Sequence, residues 1–271
     1  MTPTPLLALH DIHFTYPSGR SVLRSANITL HHGQRLGLLG HNGSGKTTLL
    51  HVAMGLLTPQ HGTITLNGNS MDASQPAKQT LHELRRTVGF LFQNSDDQLF
   101  CPTVLEDVAF GPLNLGLSPA EARKRAEDTL TSVGLAGFGP RVTYRLSGGE
   151  KKMAALASIL AMQPQALLLD EPTNDLDPDT RQRLIAILGS VSRTHIIISH
   201  DWDFLARTCD TFLTVKDGTV NTSEHTPHAH MHLHTHVHSG GDVDHTHHDQ
   251  NGHAHPHCHE HGQEHEQEKN G

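Results

Sequence analysis

Apolar and polar residues alternate over residues 5–16 and again over 23–30. A period of two is typical of a β-strand with one buried face. The turn formers Pro17, Ser18 and Gly19 lie between the two stretches, so we predict two strands joined by a tight turn. A second hairpin is predicted where the short strand 63–66 runs into Asn67 and Gly68.

Further along, short apolar runs alternate with segments of helical periodicity. Such runs are typical of strands buried on both faces of a sheet. Their alternation with helices predicts an α/β fold with a mainly parallel sheet covered by helices. The runs are Leu36–Leu39, Val88–Phe92, Ala166–Leu169 and His195–Ile198.

Residues 93–165 differ, because they have mostly helical patterns and no convincing strand. Ser118 and Glu121 have the spacing of a capping box, with Pro119 at the first helical position. The helix that they open is expected to run to Gly134, a suitable C-cap residue. We therefore predict a helical subdomain, about 93–165, inserted into an α/β domain spanning 1–224.

The composition changes abruptly at His225. Residues 225–271 hold 16 of the 26 histidines, together with seven acidic residues and one lysine, a net charge of −6. With few apolar residues, this segment is predicted to be a disordered tail. The remaining chain is near neutral and is not expected to bind nucleic acid. No apolar run approaches the length of a membrane span, so we expect a soluble chain that reaches membranes only through partners.

Residues 40–47 read Gly-His-Asn-Gly-Ser-Gly-Lys-Thr, the pattern of a phosphate-binding loop. Its glycines allow backbone N–H groups to surround phosphate oxygens, and a helix begins at the loop. Lys46 is suited to the β- and γ-phosphates, and Thr47 to Mg²⁺. The pattern predicts binding of a nucleoside triphosphate with Mg²⁺ by Asn42, Gly43, Ser44, Gly45, Lys46, Thr47 and Thr48.

The apolar strand from Ala166 ends in two acids, Asp170 and Glu171. We expect this strand to lie beside the strand of the phosphate loop, which would place Asp170 near Mg²⁺. Because neighbouring strand residues point to opposite sides, Glu171 is free to face the γ-phosphate and to orient or deprotonate a water molecule.

Leu146 precedes Ser147, Gly148, Gly149 and Glu150, where another helix is predicted to begin and to run to about Ala161. Ser147 and Glu150 have capping-box spacing, which by itself explains their presence. The two glycines are harder to explain, since each costs about 1 kcal/mol relative to alanine in a helix. An anion that approaches the helix N-terminus closely would account for them.

Together these patterns resemble the ATP-binding cassette family over residues 5–220. Three further elements occur in the order of that family: Gln93 after an apolar strand, residues 174–177 ending in Asp177, and His200 in Ser-His-Asp. Tyr16 stands where the family stacks an aromatic ring on adenine. Alone, Tyr16 would more often be a core residue and His200 a structural one. Glu150 departs from the glutamine that is commoner in the family.

The resemblance implies a nucleotide sandwich between two cassettes, either a homodimer or a pair with a closely related ATPase. Ser147, Gly148 and Gly149 would contact the ATP that the partner binds, and Asp177 would lie in the loop at the dimer interface. It further implies that Glu171, His200 and Gln93 are catalytic and that Thr47, Gln93 and Asp170 hold Mg²⁺.

Residues 93–112 resemble more narrowly the ATPases of energy-coupling-factor importers, especially their cobalt and nickel branch. In that family the segment borders a groove for a helix of the transmembrane partner. By composition alone, its acids and Phe100 would be a solvated loop with one core anchor. The resemblance implies integral membrane partners, including a substrate-binding component, and a peripheral location on the cytoplasmic face of the membrane.

Closely spaced histidines on a flexible chain suit Ni²⁺, Co²⁺ or Zn²⁺. The alternative is low-complexity sequence without function. The predicted tail ligands are His228, His230, His232, His234, His236, His238, His255, His257, Cys258 and His259.

The leading hypothesis is therefore an ATPase that powers a transition-metal importer, for cobalt or nickel. A vitamin cargo is the first alternative. A soluble cassette ATPase acting on DNA or ribosomes is disfavoured by the single cassette and the acidic balance. A metal-storage protein with a vestigial ATPase is disfavoured by the intact Lys46, Asp170, Glu171 and His200.

Overall fold

The computed structural model describes residues 4–191 and 194–223. The predicted tail ligands, from His228 to His259, lie outside these residues. Ten strands are described, and they form two sheets. The strands are β1 (Pro5–Thr15), β2 (Ser21–His31), β3 (Arg35–Leu39), β4 (His61–Leu66), β5 (Asn69–Asp72), β6 (Val88–Leu91), β7 (Ala166–Asp170), β8 (His195–Ile198), β9 (Thr211–Lys216) and β10 (Thr219–Thr222).

The predicted hairpins form one antiparallel sheet in the order β2-β1-β4-β5. The apolar runs form the second sheet, in the order β10-β9-β3-β8-β7-β6, in which only the β9–β10 pair is antiparallel. The predicted α/β fold with a mainly parallel sheet is therefore confirmed. The sequence patterns did not predict β9 and β10, which extend this sheet beyond the strand of the phosphate loop.

The predicted neighbour of the phosphate-loop strand was wrong. β3 pairs with β8 and β9, and β7 pairs with β8 and β6, so β8 separates the strand of Asp170 from that of the phosphate loop. Both strands still end at the same edge of the sheet, because all three run parallel. Asp170 is thus brought to the phosphate loop across one intervening strand.

Seven helices are described, and each predicted helix start is found. Side-chain capping boxes open three of them, at Thr103, Ser118 and Ser147. The helices are α1 (Lys46–Ala53), α2 (Lys78–Thr87), α3 (Val104–Asn114), α4 (Pro119–Ser132), α5 (Gly148–Leu160), α6 (Pro178–Val191) and α7 (Trp202–Thr208).

The parallel sheet separates two hydrophobic cores, and alternate residues of its strands serve each. In β7, Leu167 and Leu169 join the core formed with α3, α4 and α5, whereas Ala166 and Leu168 join the core formed with α1 and the antiparallel sheet. The strand is buried along its whole length. This double burial explains its continuous apolar sequence and rigidly fixes the position of Asp170 at its end.

Residues 93–165 carry α3, α4 and α5, and within this fully described stretch the only β pairing is a single bridge between Thr103 and Val142. Among the described helices, none has both the length and the apolar character needed to cross a bilayer.

Candidate functional site

The phosphate loop joins β3 to α1 and leaves no room for side chains at its tightest point. Gly45, the N-cap of α1, has a φ of 109°, a conformation that favours glycine. A Cβ atom there would lie 2.9 Å from Cγ1 of Val22. The loop backbone is thus held close to β2, with the N-terminus of α1 directed at the cleft described below.

Lys46 is buried and is held by the loop itself. Its Nζ donates to the carbonyl oxygens of Gly40 at 2.7 Å and His41 at 3.1 Å. Burial lowers the pKa of Lys46, and the charges of Glu171 and Asp170 oppose that shift. The amine is therefore placed between the loop and two carboxylates, where it can contact phosphate oxygens with little movement.

A cleft of about 430 Å³ lies beside this loop and brings together residues that are distant in sequence. Ser44 is the one residue of the predicted loop set outside its lining. Arg20, Val22 and Ile198 line the cleft without having been predicted, and Asn174 of the loop predicted at the dimer interface lines it as well. The predicted residues that line the cleft are Tyr16, Asn42, Gly43, Gly45, Lys46, Thr47, Thr48, Gln93, Asp170, Glu171 and His200.

Asp170 has a carboxylate that lacks partners among the described residues. Its side chain is 1% exposed, and neither carboxylate oxygen accepts a hydrogen bond of normal geometry. Burial raises the pKa of Asp170, and the nearby Thr47 hydroxyl and the His51, Lys46 and Lys152 side chains oppose the rise. A buried, unpartnered carboxylate beside a hydroxyl is a donor set that fits Mg²⁺.

Glu171 follows β7 in a left-handed conformation, with a φ of 47°. Its N–H donates to the carbonyl of Ile198 at 2.9 Å, which fixes the turn to the end of β8. Burial raises the pKa of Glu171, whereas the charge and backbone N–H of His200 oppose the rise. A carboxylate with a raised pKa that faces a cleft is suited to accept a proton.

His200 lies directly over Glu171. Its Nε2 is 3.3 Å from Oε1 of Glu171, and its backbone N–H donates to Oε2 at 3.3 Å. The imidazole is 61% exposed, so it can also reach a ligand in the cleft. Ser199, the residue before it, contacts the hydroxyl of Thr173 at 3.1 Å and so ties this turn to the one after Glu171.

Gln93 and Tyr16 occupy the other walls of the cleft. Gln93 follows β6 and exposes its side chain, while its backbone carbonyl accepts a hydrogen bond from Nζ of Lys152. The hydroxyl of Tyr16 lies 3.0 Å from Oγ1 of Thr48, and its ring packs edge-on against Phe14. This support holds the Tyr16 ring at the rim of the cleft, with a third of its surface exposed.

Ser147, Gly148 and Gly149 lie outside the cleft, at the N-terminus of α5. Oγ of Ser147 accepts from the N–H of Glu150 at 3.3 Å, and the Glu150 carboxylate accepts from the N–H of Ser147 at 2.8 Å. Glu150 therefore keeps a capping role although it replaces the commoner glutamine.

The structure gives a second reason for the glycines at this helix start. A Cβ atom on Gly148 would lie 3.0 Å from Cβ of Asp175, and one on Gly149 would lie 3.4 Å from the Asp175 carbonyl. The loop 174–177 thus packs directly on the start of α5. Asp177 ends this loop and caps α6, because its carboxylate accepts from the N–H groups of Asp179 and Thr180 at 3.0 Å.

Sequence reasoning missed Lys152, whose contacts are described below, and Arg20, whose Nη2 donates to the carbonyl of Gly43 at 3.1 Å. Neither stands in a recognisable motif. Within residues 4–191 and 194–223, no group of three or more His, Cys, Asp or Glu side chains is arranged to hold a metal ion.

Comparison with known proteins identifies this arrangement. The ABC transporter family matches residues 23–174. An ABC transporter ATP-binding protein of Nitratidesulfovibrio vulgaris is 70% identical over 228 residues, covering 84% of this chain and 82% of that protein. The energy-coupling factor transporter ATP-binding protein EcfA of Methanothermobacter thermautotrophicus is 42% identical over 225 residues, covering 82% of this chain and 71% of that protein.

Among solved structures, cbiO1 of Clostridium perfringens, part of the ABC transporter complex cbiONQ, superposes with a TM-score of 0.69 at 32% identity. The match covers 80% of this chain and 87% of that one. The chain belongs to the ABC transporter family, as an ATP-hydrolysing subunit related to those of energy-coupling factor transporters.

Proposed function

We propose that the cleft binds ATP with Mg²⁺ and hydrolyses it with Glu171 as the base. The observation that carries this assignment is the meeting of Lys46, Asp170, Glu171 and His200 in one cleft. Lys46 and the loop N–H groups would bind the phosphates, and Glu171 would take a proton from the attacking water. Mg²⁺, held by Thr47, Asp170 and Gln93, would neutralise charge on the phosphates.

The remaining contacts would place the nucleotide and sense its γ-phosphate. Tyr16 would stack on the adenine, since its ring is exposed at the cleft rim. His200 would bridge Glu171 and the γ-phosphate, because it contacts the carboxylate and remains open to the cleft. Asn42, Gly43, Ser44, Gly45 and Thr48 would complete the binding of the phosphates.

A second cassette would complete each site. Ser147 and Gly148 are exposed at a helix N-terminus, outside their own cleft. They would therefore bind the γ-phosphate held by a second cassette, either a copy of this chain or a close relative. Loop 174–177, with Asp177, packs against this helix start and would lie in the same interface.

Closure of the two cassettes on ATP and their opening after hydrolysis would drive membrane subunits, including one that binds the cargo. The cassettes would contact these subunits at the cytoplasmic face of the membrane. Phe100 is 67% exposed and packs edge-to-face on the exposed Phe110, with ring centroids 4.9 Å apart. An exposed aromatic pair favours an interface over a core anchor. The membership of cbiO1 in a transporter complex supports the same assignment.

We further propose a transition-metal cargo, cobalt or nickel. The supporting observation is the density of imidazoles after His225, where 16 histidines fall within 47 residues. Such a segment would bind Ni²⁺, Co²⁺ or Zn²⁺ and hold metal near the importer. A vitamin cargo would use the same ATPase and leave the histidines unexplained.

Metal content of cells grown in low-metal medium tests the cargo. Mass spectrometry should find nickel or cobalt selectively depleted when the gene is deleted. Wild-type protein should restore the metal, and Glu171→Gln should not, although it is made in equal amount. If nickel and cobalt contents were unchanged and vitamin uptake were lost, the metal cargo would be ruled out in favour of a vitamin.

A further inference from the structure

Lys152 is a buried amine with no part in the mechanism above. It lies in α5, one turn after Gly148, and its side chain is 2% exposed. Its Nζ donates to the backbone carbonyls of Phe92 at 3.4 Å and of Gln93 at 2.5 Å. A buried ammonium group is costly unless it is paired, so these carbonyls and the nearby acids determine where it can lie.

Three acids act electrostatically on the same amine. Burial lowers the pKa of Lys152, and Asp175, Asp170 and Glu171 oppose the shift in that order of strength. Two of these acids belong to the hydrolytic cleft, and Asp175 belongs to the loop that packs on the start of α5. Lys152 therefore joins α5 to Gln93, a residue of the cleft.

The segment after β6 is attached to α5 at three points. Lys151 pairs with Asp96 at 2.6 Å on the surface. Gln98 donates to the carbonyl of Ala155 at 2.8 Å and to the hydroxyl of Ser158 at 3.1 Å. Of the three attachments, only that of Lys152 is made to Gln93 itself.

We infer that Lys152 is a positioning residue that holds the backbone of Gln93 to α5. It would thereby couple the γ-phosphate contacts of one cleft to the N-terminus of α5, which the same chain offers to the ATP of its partner. The inference rests on the proposed role of Gln93. A movement of Gln93 toward Mg²⁺ or away from it would pull on α5 through this amine, because both bonds are to backbone atoms and cannot be released by rotation of the glutamine side chain.

The test is steady-state ATP hydrolysis by the full-length chain carrying Lys152→Met, which retains the apolar stem and loses the amine. We expect kcat to fall about 10- to 100-fold, as for a misplaced catalytic group. The KM for ATP should stay within about twofold of wild type, because Lys152 does not line the cleft and contacts it only through the backbone of Gln93. The Mg²⁺ concentration for half-maximal rate should rise about tenfold, the effect of loosening a metal ligand's support.

Lys151→Met is the matched control, since it is the same substitution at the neighbouring residue and removes only a surface ion pair; it should behave as wild type. Lys152→Arg should restore most of kcat, because a guanidinium can reach the same carbonyls. Lys152→Gln, which keeps a shorter donor, replaces the methionine variant if that does not fold.

A double-mutant cycle with Gln93→Ala separates this inference from the function on which it rests. If Lys152 acts through Gln93, the loss from Lys152→Met should largely disappear in the Gln93→Ala background. Additive losses would overturn the inference and leave the role of Gln93 intact. A Gln93→Ala variant with normal turnover and Mg²⁺ dependence would overturn that role first, and the inference with it. If Lys152→Met and Lys152→Gln each lowered ATP affinity as much as kcat, Lys152 would contribute to folding only, and the inference would be overturned.

Discussion

Arg181 binds both carboxylate oxygens of Asp201 through one edge of its guanidinium group. Its Nε donates to Oδ2 at 2.5 Å and its Nη2 donates to Oδ1 at 2.8 Å, while Nη2 also contacts Asp203 at 2.7 Å. Arg181 lies in α6, just after the loop 174–177, and Asp201 directly follows His200. The two segments that we propose to lie at the dimer interface and over the γ-phosphate are thus joined by one half-buried, bidentate ion pair.

Replacing Arg181 by alanine should therefore destabilise the folded protein. The Asp201 carboxylate would lose both guanidinium bonds and keep its capping bond to the N–H of Phe204. We expect a loss of about 1–3 kcal/mol in the free energy of unfolding, the usual effect of removing a charged hydrogen-bond partner. Urea unfolding measures this loss, and Arg207→Ala, which removes only a surface contact at 4.0 Å, is the control. An equal effect of the two variants would contradict the prediction.

The same ion pair predicts a dependence on pH. Burial alone would raise the pKa of Asp201, but the bonds from Arg181 outweigh it and the pKa is lowered. A group whose pKa is lowered by folding stabilises the protein above its unfolded pKa, about 3.9, and loses that contribution as pH falls through the folded value. The stability difference between wild type and Asp201→Asn should be constant near pH 7 and shrink below about pH 4. Urea unfolding at several pH values measures it, and a difference independent of pH would contradict the assignment.

At Asp170 we expect stability and function to oppose each other, so that a substitution stabilises the fold and impairs nucleotide binding. Its buried carboxylate has no hydrogen-bond partner in the described part of the chain, and burial raises its pKa. Asp170→Asn should raise the melting temperature of the nucleotide-free protein by about 2–4 °C, equivalent to about 1 kcal/mol. The variant should lose the further rise that ATP with Mg²⁺ gives wild type. The exposed Asp128→Asn is the control and should change neither value.

Glu171→Gln should bind ATP and remain dimeric with little turnover. Glutamine fills the same space beside His200 but cannot accept a proton from water. Size-exclusion chromatography with ATP should show a persistent dimer, and phosphate release should fall about 100-fold or more. If the variant released phosphate at the wild-type rate, Glu171 could not be the catalytic base.

Removal of residues 225–271 should separate metal binding from hydrolysis. The cleft is built entirely from residues between Tyr16 and His200, so ATP turnover should stay within about twofold of wild type. Binding of several Ni²⁺ or Co²⁺ ions, measured by calorimetry at pH 7.5, should be lost. In the full chain it should weaken below about pH 6.5, where imidazoles become protonated. Collapse of turnover in the shortened chain would make the segment part of the catalytic unit.

Local sequence patterns predicted the strands that carry the site, because buried strands and helix caps leave strong signals in a few consecutive residues. The apolar run from Ala166 and the capping box at Ser147 are examples. The order of the strands could not be predicted in the same way. β8 lies between β7 and β3 because of tertiary packing, and neither strand carries a sequence signal for it. The contacts of Gly148 with Asp175 and of Lys152 with Gln93 join residues 27 and 59 positions apart, so no local pattern could predict them.

The left-handed backbone at Glu171 has a consequence for how this chain can change over generations. At that φ a glutamate costs about 1 kcal/mol, whereas glycine or asparagine would be comfortable there. Replacement of this glutamate by glycine would therefore relax the backbone and remove the proposed base together, so stability and activity make opposite demands on position 171. In a duplicated copy that is no longer selected for ATP hydrolysis, we expect this glutamate to be lost early. The residue at position 171 would then indicate whether a related cassette still hydrolyses ATP.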